Sequence, residues 1–299
     1  MKRTGKARKR IQTTGVMAML LVALAVASPA SATSGTLTIT SDITLTEDHS
    51  GNIVIDANDV TLDCDGHAVT GSGGSGIGIL LDGRTGVTVE NCHITNFDVG
   101  VLLLNSSGNT LKENTADGNL DNGFFLLASS GNVLEYNTAN GHEGAGFLVE
   151  SSSGNTLKSN AASGNDEGFS VDNSSDNIFE KNTANDNDDP GFSLFESSGN
   201  IFTKNKSENN GGDGFRLELS DGNTFIKNKS NKNGGDGFEA DSTSSGNAFK
   251  KNKAEENEGF GYLDASGPAN TYIKNKCKGN TLGGSSPPPP ATGLCKPQS

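Results

Sequence analysis

Residues 200–222 read NIFTKNKSENNGGDGFRLELSDG, and residues 223–246 read NTFIKNKSNKNGGDGFEADSTSSG. The two stretches are near-copies laid end to end, and their first Asn recurs along the chain. Asn109, Asn132, Asn155, Asn177, Asn200, Asn223, Asn247 and Asn270 follow one another at spacings of 23, 23, 22, 23, 23, 24 and 23 residues. A fixed period in this range marks a stack of similar structural units.

Counting from that Asn gives a template. Position +2 is apolar, from Leu111 through Phe225 to Tyr272. Position +5 is always Asn, from Asn114 to Asn275, and position +7 is small, as at Ala116 and Ser230. Near +10 Asn recurs, with His142 as the exception. Near +15 a Gly precedes an aromatic, as in Gly214-Phe215 and Gly237-Phe238, and two residues later the chain is usually aliphatic. Alternating apolar and polar positions predict short strands, three to a turn. Gly and Asn are expected at corners, where positive φ is tolerated. A single turn cannot bury its inner face, but stacked turns enclose a continuous column of Phe, Leu and Ala. The expected fold is all-β, a right-handed single-stranded parallel β-helix of about 10–11 turns. In such a coil equivalent Asn side chains stack ~4.8 Å apart and can hydrogen-bond along the column.

Outward from the repeat, residues 1–32 read as a signal peptide. A basic start (Lys2 to Arg10) leads into an apolar stretch from Val16 to Ala27, then the small-x-small site Ala30-Ser31-Ala32. The apolar stretch is short for a bilayer and no second one follows, so no membrane span is expected and the mature chain reads as secreted. Residues 33–282 form the expected β-helix domain, with residues 36–58 as its capping turn. Residues 283–299, with Pro287 to Pro290, read as an extended tail. Removing residues 1–32 takes six basic side chains and moves the formal net charge from −13 to −19. That disfavours nucleic acid as a partner. Trp is absent and only 3 Tyr are present, so flat platforms for neutral sugars are few. Four cysteines in an exported chain permit disulfides. A Cys277–Cys295 bridge would tie the tail to the last repeat. Cys64 and Cys92 are a stacked buried pair or a disulfide.

Segment 58–71 (NDVTLDCDGHAVTG), the stretch from Gly86 to Cys92, and the Ser-Ser-Gly-Asn turns resemble secreted right-handed parallel β-helix proteins. The similarity is to the pectin-lyase-like superfamily and its NosD-type repeats. The superfamily includes lyases, hydrolases, epimerases, tailspikes and adhesins, so the resemblance implies a fold and leaves the activity open. Of the polygalacturonase signatures only Asp188-Asp189 and Gly141-His142 occur, and the Trp-containing pectate lyase motif is impossible here. The copper chemistry of NosD relatives finds little support, since Met1, Met17 and Met19 all precede the expected cleavage site and no His cluster is evident.

Two constellations are candidates for function. Lysines recur at +4 (Lys181, Lys204, Lys227, Lys251, Lys274) and at +6 (Lys206, Lys229, Lys253, Lys276). They flank the +5 corner, and Lys204, Lys206, Lys227, Lys229, Lys251 and Lys253 are the expected polysaccharide-binding set, for an acidic glycan such as a polyuronate. The bland alternative is a solvated set that protects the edge. Asp213, Glu218, Asp236, Glu239 and Asp241 form an acidic group suited to Ca²⁺. Arg216 lies among them as a candidate catalytic base, because the resemblance implies lyases that use Ca²⁺ with an Arg or Lys base on this strand face. Its alternative is a surface Arg paired with Glu239. Cys64, His67, Cys92 and His93 could ligate a metal only if consecutive side chains converged, which a strand opposes. His49 and His142 stand alone.

Three functions therefore compete: an extracellular polysaccharide-binding protein, a Ca²⁺-dependent enzyme acting on an acidic glycan, and a surface spacer. Turn lengths vary by only one residue after Asn109, so the long loops that wall a substrate cleft are missing. This tips the reading toward binding.

Overall fold

The computed structural model describes residues 33–267, 269–286 and 294–297. The expected signal peptide and the proline run at 287–290 lie outside them. The described chain contains no helix, and its strands are wound into three parallel sheets of 13, 12 and 11 strands. Each turn gives one strand to each sheet. In the turn from Asn223 these are Thr224–Ile226, Lys229–Asn231 and Phe238–Ala240. The β-helix of about eleven turns and its 23-residue period are as the repeat predicts.

Register follows from the template. Phe192, Phe215 and Phe238 are successive partners in the 12-stranded sheet, and Phe202, Phe225 and Phe249 in the 11-stranded one. Their rings stack with centroids 4.5–4.9 Å apart, and the two stacks meet edge to face, as for Phe215 and Phe225 at 5.9 Å. Both stacks end in tyrosine, at Tyr262 and Tyr272. Aromatic pairs of this kind add ~0.5–1.5 kcal/mol each beyond their burial.

The Asn columns are three hydrogen-bonded ladders. In every Asn–Asn rung but Asn247–Asn270 the next turn's Oδ1 accepts from both the backbone N–H and Nδ2 of the turn before: Asn205 N and Nδ2 to Asn228 Oδ1 measure 2.8 and 3.1 Å. The same Nδ2 donates to a carbonyl of the preceding turn, Phe179 O, at 2.8 Å. His142 replaces Asn in the third ladder. Its Nδ1 accepts from Asn119 N–H and its Nε2 faces Ala116 O, both at 3.1 Å. Burial lowers its pKa, which favours the neutral ring the ladder needs. A fourth ladder was not foreseen. Ser106, Ser129, Ser152, Ser174, Ser197, Ser220 and Ser244 are fully buried, and each later hydroxyl accepts the N–H of the one before, as from Ser129 N to Ser152 Oγ at 2.8 Å.

Four details differ from the sequence expectation. The Gly before each aromatic does not have positive φ. It is needed for space: a Cβ on Gly214 would lie 2.1 Å from Ser230 Oγ and 2.6 Å from Gly237 O. Several corners that do have positive φ carry side chains instead, above all the +4 lysines (φ 54–58°). The first turn is also shorter than expected, with Leu37 pairing Ile53, and winding begins at Thr33–Ser34. Finally, pairing continues past 282. Gly283–Ser286 joins the 12-stranded sheet and Lys296–Pro297 the 13-stranded one. Both Cys64–Cys92 and Cys277–Cys295 are disulfides, the first between neighbouring turns and the second anchoring the last strand.

Candidate functional site

The +4 and +6 lysines come together as expected, on either side of the buried +5 Asn. Lys206, Lys229, Lys253 and Lys276 are register partners in the 13-stranded sheet, so they form one outward column. The +4 lysines stand beside it at the corner. Their left-handed backbone costs a residue with a Cβ ~1–2 kcal/mol relative to glycine. Other left-handed corners take glycine, as at Gly199, Gly222 and Gly246.

Ion pairing separates these lysines from the rest. Every basic residue from 33 to 199 has a carboxylate within 4.0 Å: Arg84 with Asp56, Lys112 with Glu90 and Glu113, Lys158 with Glu135, and Lys181 with Glu180. Lys206 pairs with Glu208 and Lys232 with Glu256. Lys204, Lys227, Lys229, Lys250, Lys251, Lys253, Lys274 and Lys276 form no ion pair among the described residues. The charge itself is unevenly placed. Residues 33–199 hold 25 acidic and 4 basic side chains, net −21, whereas residues 200–299 hold 11 and 13, net +2. Like cations one strand apart repel, so this edge lacks the compensation found elsewhere on the molecule.

The acidic set divides. Asp213, Asp236 and Glu239 bring one carboxylate oxygen each within 4.8 Å of one another. Asp213 Oδ1 accepts the Asp236 N–H at 2.5 Å, and Asp236 Oδ1 accepts the Phe260 N–H. Glu218 and Asp241 serve other ends. Glu218 Oε2 is 3.3 Å from Arg216 Nη2, and Asp241 holds Thr243 N and Oγ1 at 3.0 and 2.8 Å. Arg216 stands half-exposed opposite its register partner Glu239, with Nε 3.9 Å from Oε2.

Burial, reinforced by Glu239, raises Asp213 from 3.8 to about 8. Asp236 is raised by the same two causes. For a carboxyl raised on folding, the native state holds the proton more tightly. That stability is present in acid and is lost as pH climbs from ~4 through about 8. Asp213→Asn keeps the oxygen that accepts the Asp236 N–H and removes the charge. It should match the parent in urea unfolding at pH 4 and exceed it by about 2–4 kcal/mol at pH 9, at ~1.4 kcal/mol per pH unit less screening. An equal deficit at both pH values would show that the charge is not what matters there. A hard cation would relieve the same repulsion, and three oxygens suit Ca²⁺.

A cleft of about 550 Å³ lies on an early turn, lined by Asp65, Asn91, His93, Glu113 and Asp117 among others. None of the candidate residues lines it. His93 Nε2 sits 3.3 Å from Asp117 Oδ2, and His67 Nδ1 3.3 Å from Asp48 Oδ1.

These features define a parallel β-helix with one uncompensated cationic edge. The family model described as "Periplasmic copper-binding protein (NosD)" matches residues 26–179, 154 of the 299 residues, and the chain belongs to that family. A second model, "Right handed beta helix region", matches residues 162–286. No curated protein matches. Among solved structures the fold is similar to the A-module of a mannuronan C-5 epimerase from Azotobacter vinelandii (TM-score 0.60, 15% identity, 86% of this chain and 90% of that one). It is also similar to a mutant of the periplasmic alginate epimerase AlgG (TM-score 0.65, 15% identity, 84% and 77%). A third is the catalytic domain of an α-1,3-glucanase in complex with nigerose (TM-score 0.61, 18% identity, 84% and 60%). At these identities the likeness establishes the fold.

The family description raises copper, and the donor set here does not fit it. Copper sites draw on imidazole, thiolate and thioether. All four cysteines are in disulfides, and the three methionines lie outside the described residues. His49 and His142 are buried with both ring nitrogens occupied, while His67 and His93 each face a carboxylate. Among the described residues the one group of three convergent ligands is Asp213, Asp236 and Glu239, all oxygen.

Proposed function

We infer that this chain is an exported β-helix protein that binds an acidic polysaccharide along its lysine edge. The observation that carries the reading is the run of eight lysines without ion pairs, in four consecutive turns of an otherwise acidic chain. A polyanion would supply the compensation that Lys112, Lys158 and Lys181 receive from carboxylates. Export is supported by the basic, apolar and small-residue order of residues 1–32 and by the periplasmic description of the family. The fold neighbours include proteins whose names place them on mannuronan, alginate and α-1,3-glucan. No helix among the described residues is long and apolar enough to cross a membrane.

A second reading is favoured by one arrangement. Arg216 beside Asp213, Asp236 and Glu239 resembles a base next to a cation-binding triad, which suits Ca²⁺-assisted proton abstraction α to a uronate carboxylate. Arg216 is itself engaged by Glu218 and Glu239, so its guanidinium already has carboxylate partners and is not directed at open space. One screen separates the readings. The mature chain is passed over immobilised acidic and neutral glycans with and without Ca²⁺, and product absorbance in the ultraviolet is followed. We expect salt-sensitive retention on acidic glycans without unsaturated products. Absorbing products would establish the lyase, and no retention on any acidic glycan would sink the binding reading.

A further inference from the structure

The lysine edge has a pitch as well as a sign. Its +6 column advances one residue per strand, Lys206, Lys229, Lys253, Lys276, in unbroken register. The +4 column advances identically through Lys204, Lys227, Lys251 and Lys274, each fixed at the corner by a left-handed backbone. The rungs are therefore ~4.8 Å apart, the parallel strand spacing. One pyranose ring of an extended glycan advances its chain by about the same length. The neighbouring sheet face changes in the same turns. Glu90, Lys112, Glu135, Lys158 and Glu180 alternate in charge in the early turns, and Thr203, Ile226, Lys250 and Ile273 succeed them. No acidic residue remains on the strands Ile201–Thr203, Thr224–Ile226, Ala248–Lys250 and Thr271–Ile273. Ile273, 43% exposed and directly before Lys274, offers aliphatic surface beside the corner.

We propose that the lysine edge reads charge spacing: it selects acidic glycans with one anionic group on every sugar, extended parallel to the helix axis, over glycans charged on alternate sugars. The proposal rests on the binding reading above and narrows it. A ligand charged on every ring meets a lysine at each rung. One charged on alternate rings of similar length leaves every second rung uncompensated, so no more than two of the four rungs are used at once. Linked contacts multiply only when geometry lets them form together.

The test uses end-labelled oligomannuronates of two to eight sugars and hyaluronan oligomers, which carry a carboxylate on every second sugar. Fluorescence polarisation is read against the mature chain at fixed low salt. Exposed ion pairs predict about two- to fivefold in Kd per added mannuronate rung. The gain should flatten near four or five sugars, where the unpaired rungs at Lys204, Lys227, Lys251 and Lys274 are used up. At equal charge number the hyaluronan series should bind about tenfold more weakly. Lys227→Ala with Lys251→Ala should weaken the six-sugar mannuronate, which loses two rungs, about tenfold and the disaccharide, which loses one, about two- to fivefold. Equal affinity for the two series at equal charge, or a gain that continues unbroken to eight sugars, would overturn the spacing proposal and leave acidic-glycan binding standing. Absence of binding by both series would overturn both.

Discussion

Replacing Lys227, Lys229, Lys251 and Lys253 together by Glu should abolish retention on polymannuronate at physiological salt, a loss above about 100-fold in Kd. Each exposed pair contributes ~0.2–1 kcal/mol, and reversal adds repulsion of similar size. Four reversals then total about 2–8 kcal/mol, centred near 5, and 1.4 kcal/mol is tenfold. The parent's affinity should fall steeply between low and physiological salt, because charges at this surface are screened over ~8–10 Å. The fold should not suffer, since none of the four side chains has an ion pair to lose and reversing all four charges leaves their mutual repulsion unchanged. The control is Lys112→Gln with Lys158→Gln, which removes two paired cations of the early turns. Retention unchanged in the fourfold variant, or lost equally in the control, would remove the lysine edge from the binding account.

Asn228→Ala should cost about 3–5 kcal/mol, an effect far outside the range of surface substitutions. Asn228 Oδ1 accepts both the N–H and the Nδ2 of Asn205, and its own Nδ2 donates to Phe202 O at 2.8 Å and to Asn252 Oδ1 at 3.2 Å. Alanine leaves a buried N–H and a buried carbonyl unpaired, at ~1–3 kcal/mol each, and a small void between turns. Turns contact chiefly their neighbours, so the loss falls at one interface. Urea unfolding should split, with the first transition moved to lower denaturant and hydrogen exchange accelerated around Asn205 and Phe202. A single transition displaced by less than 1 kcal/mol would mean that water or a neighbour replaces the amide. Lys227→Ala, one residue away but outward, should change stability little.

The contrast between these two positions shows why the fold was easy to read and the site was not. Asn228 obeys the same rule in every turn, because each rung needs one group that both donates and accepts. The period therefore exposes it. The Ser column was visible as the recurring Ser-Ser-Gly-Asn, yet it reads as turn composition until the geometry turns each hydroxyl toward the next N–H. Gly214 reads in sequence as a corner that tolerates positive φ, but its requirement is the approach of Ser230 from the following turn, a through-space fact with no local signal. The acidic set shows the same limit. Asp213, Asp236 and Glu239 converge because the loops before two adjacent strands carry the two Asp and the second of those strands carries Glu239, whereas Asp241, one residue past its strand, turns onto Thr243. The lysine columns were legible as a pattern. Their lack of partners was not, because it takes the geometry to show that Lys206 meets Glu208 along its own strand while Lys204, at the corner, meets no carboxylate among the described residues. The strand Lys296–Pro297 was hidden because a disulfide, not hydrophobic patterning, brings it back.

The ladders also have a mechanical consequence. Their hydrogen bonds run from turn to turn, so tension applied between the two ends would load every turn-to-turn contact in series. A structure of this kind yields at its weakest interface, one coil peeling at a time, rather than by shearing all contacts together. Cys64–Cys92 is a covalent splice across one such interface. The turns between Cys92 and Cys277, including those that carry the lysines, have no such splice and would unwind while the interfaces bridged by Cys64–Cys92 and Cys277–Cys295 held until those bonds were reduced.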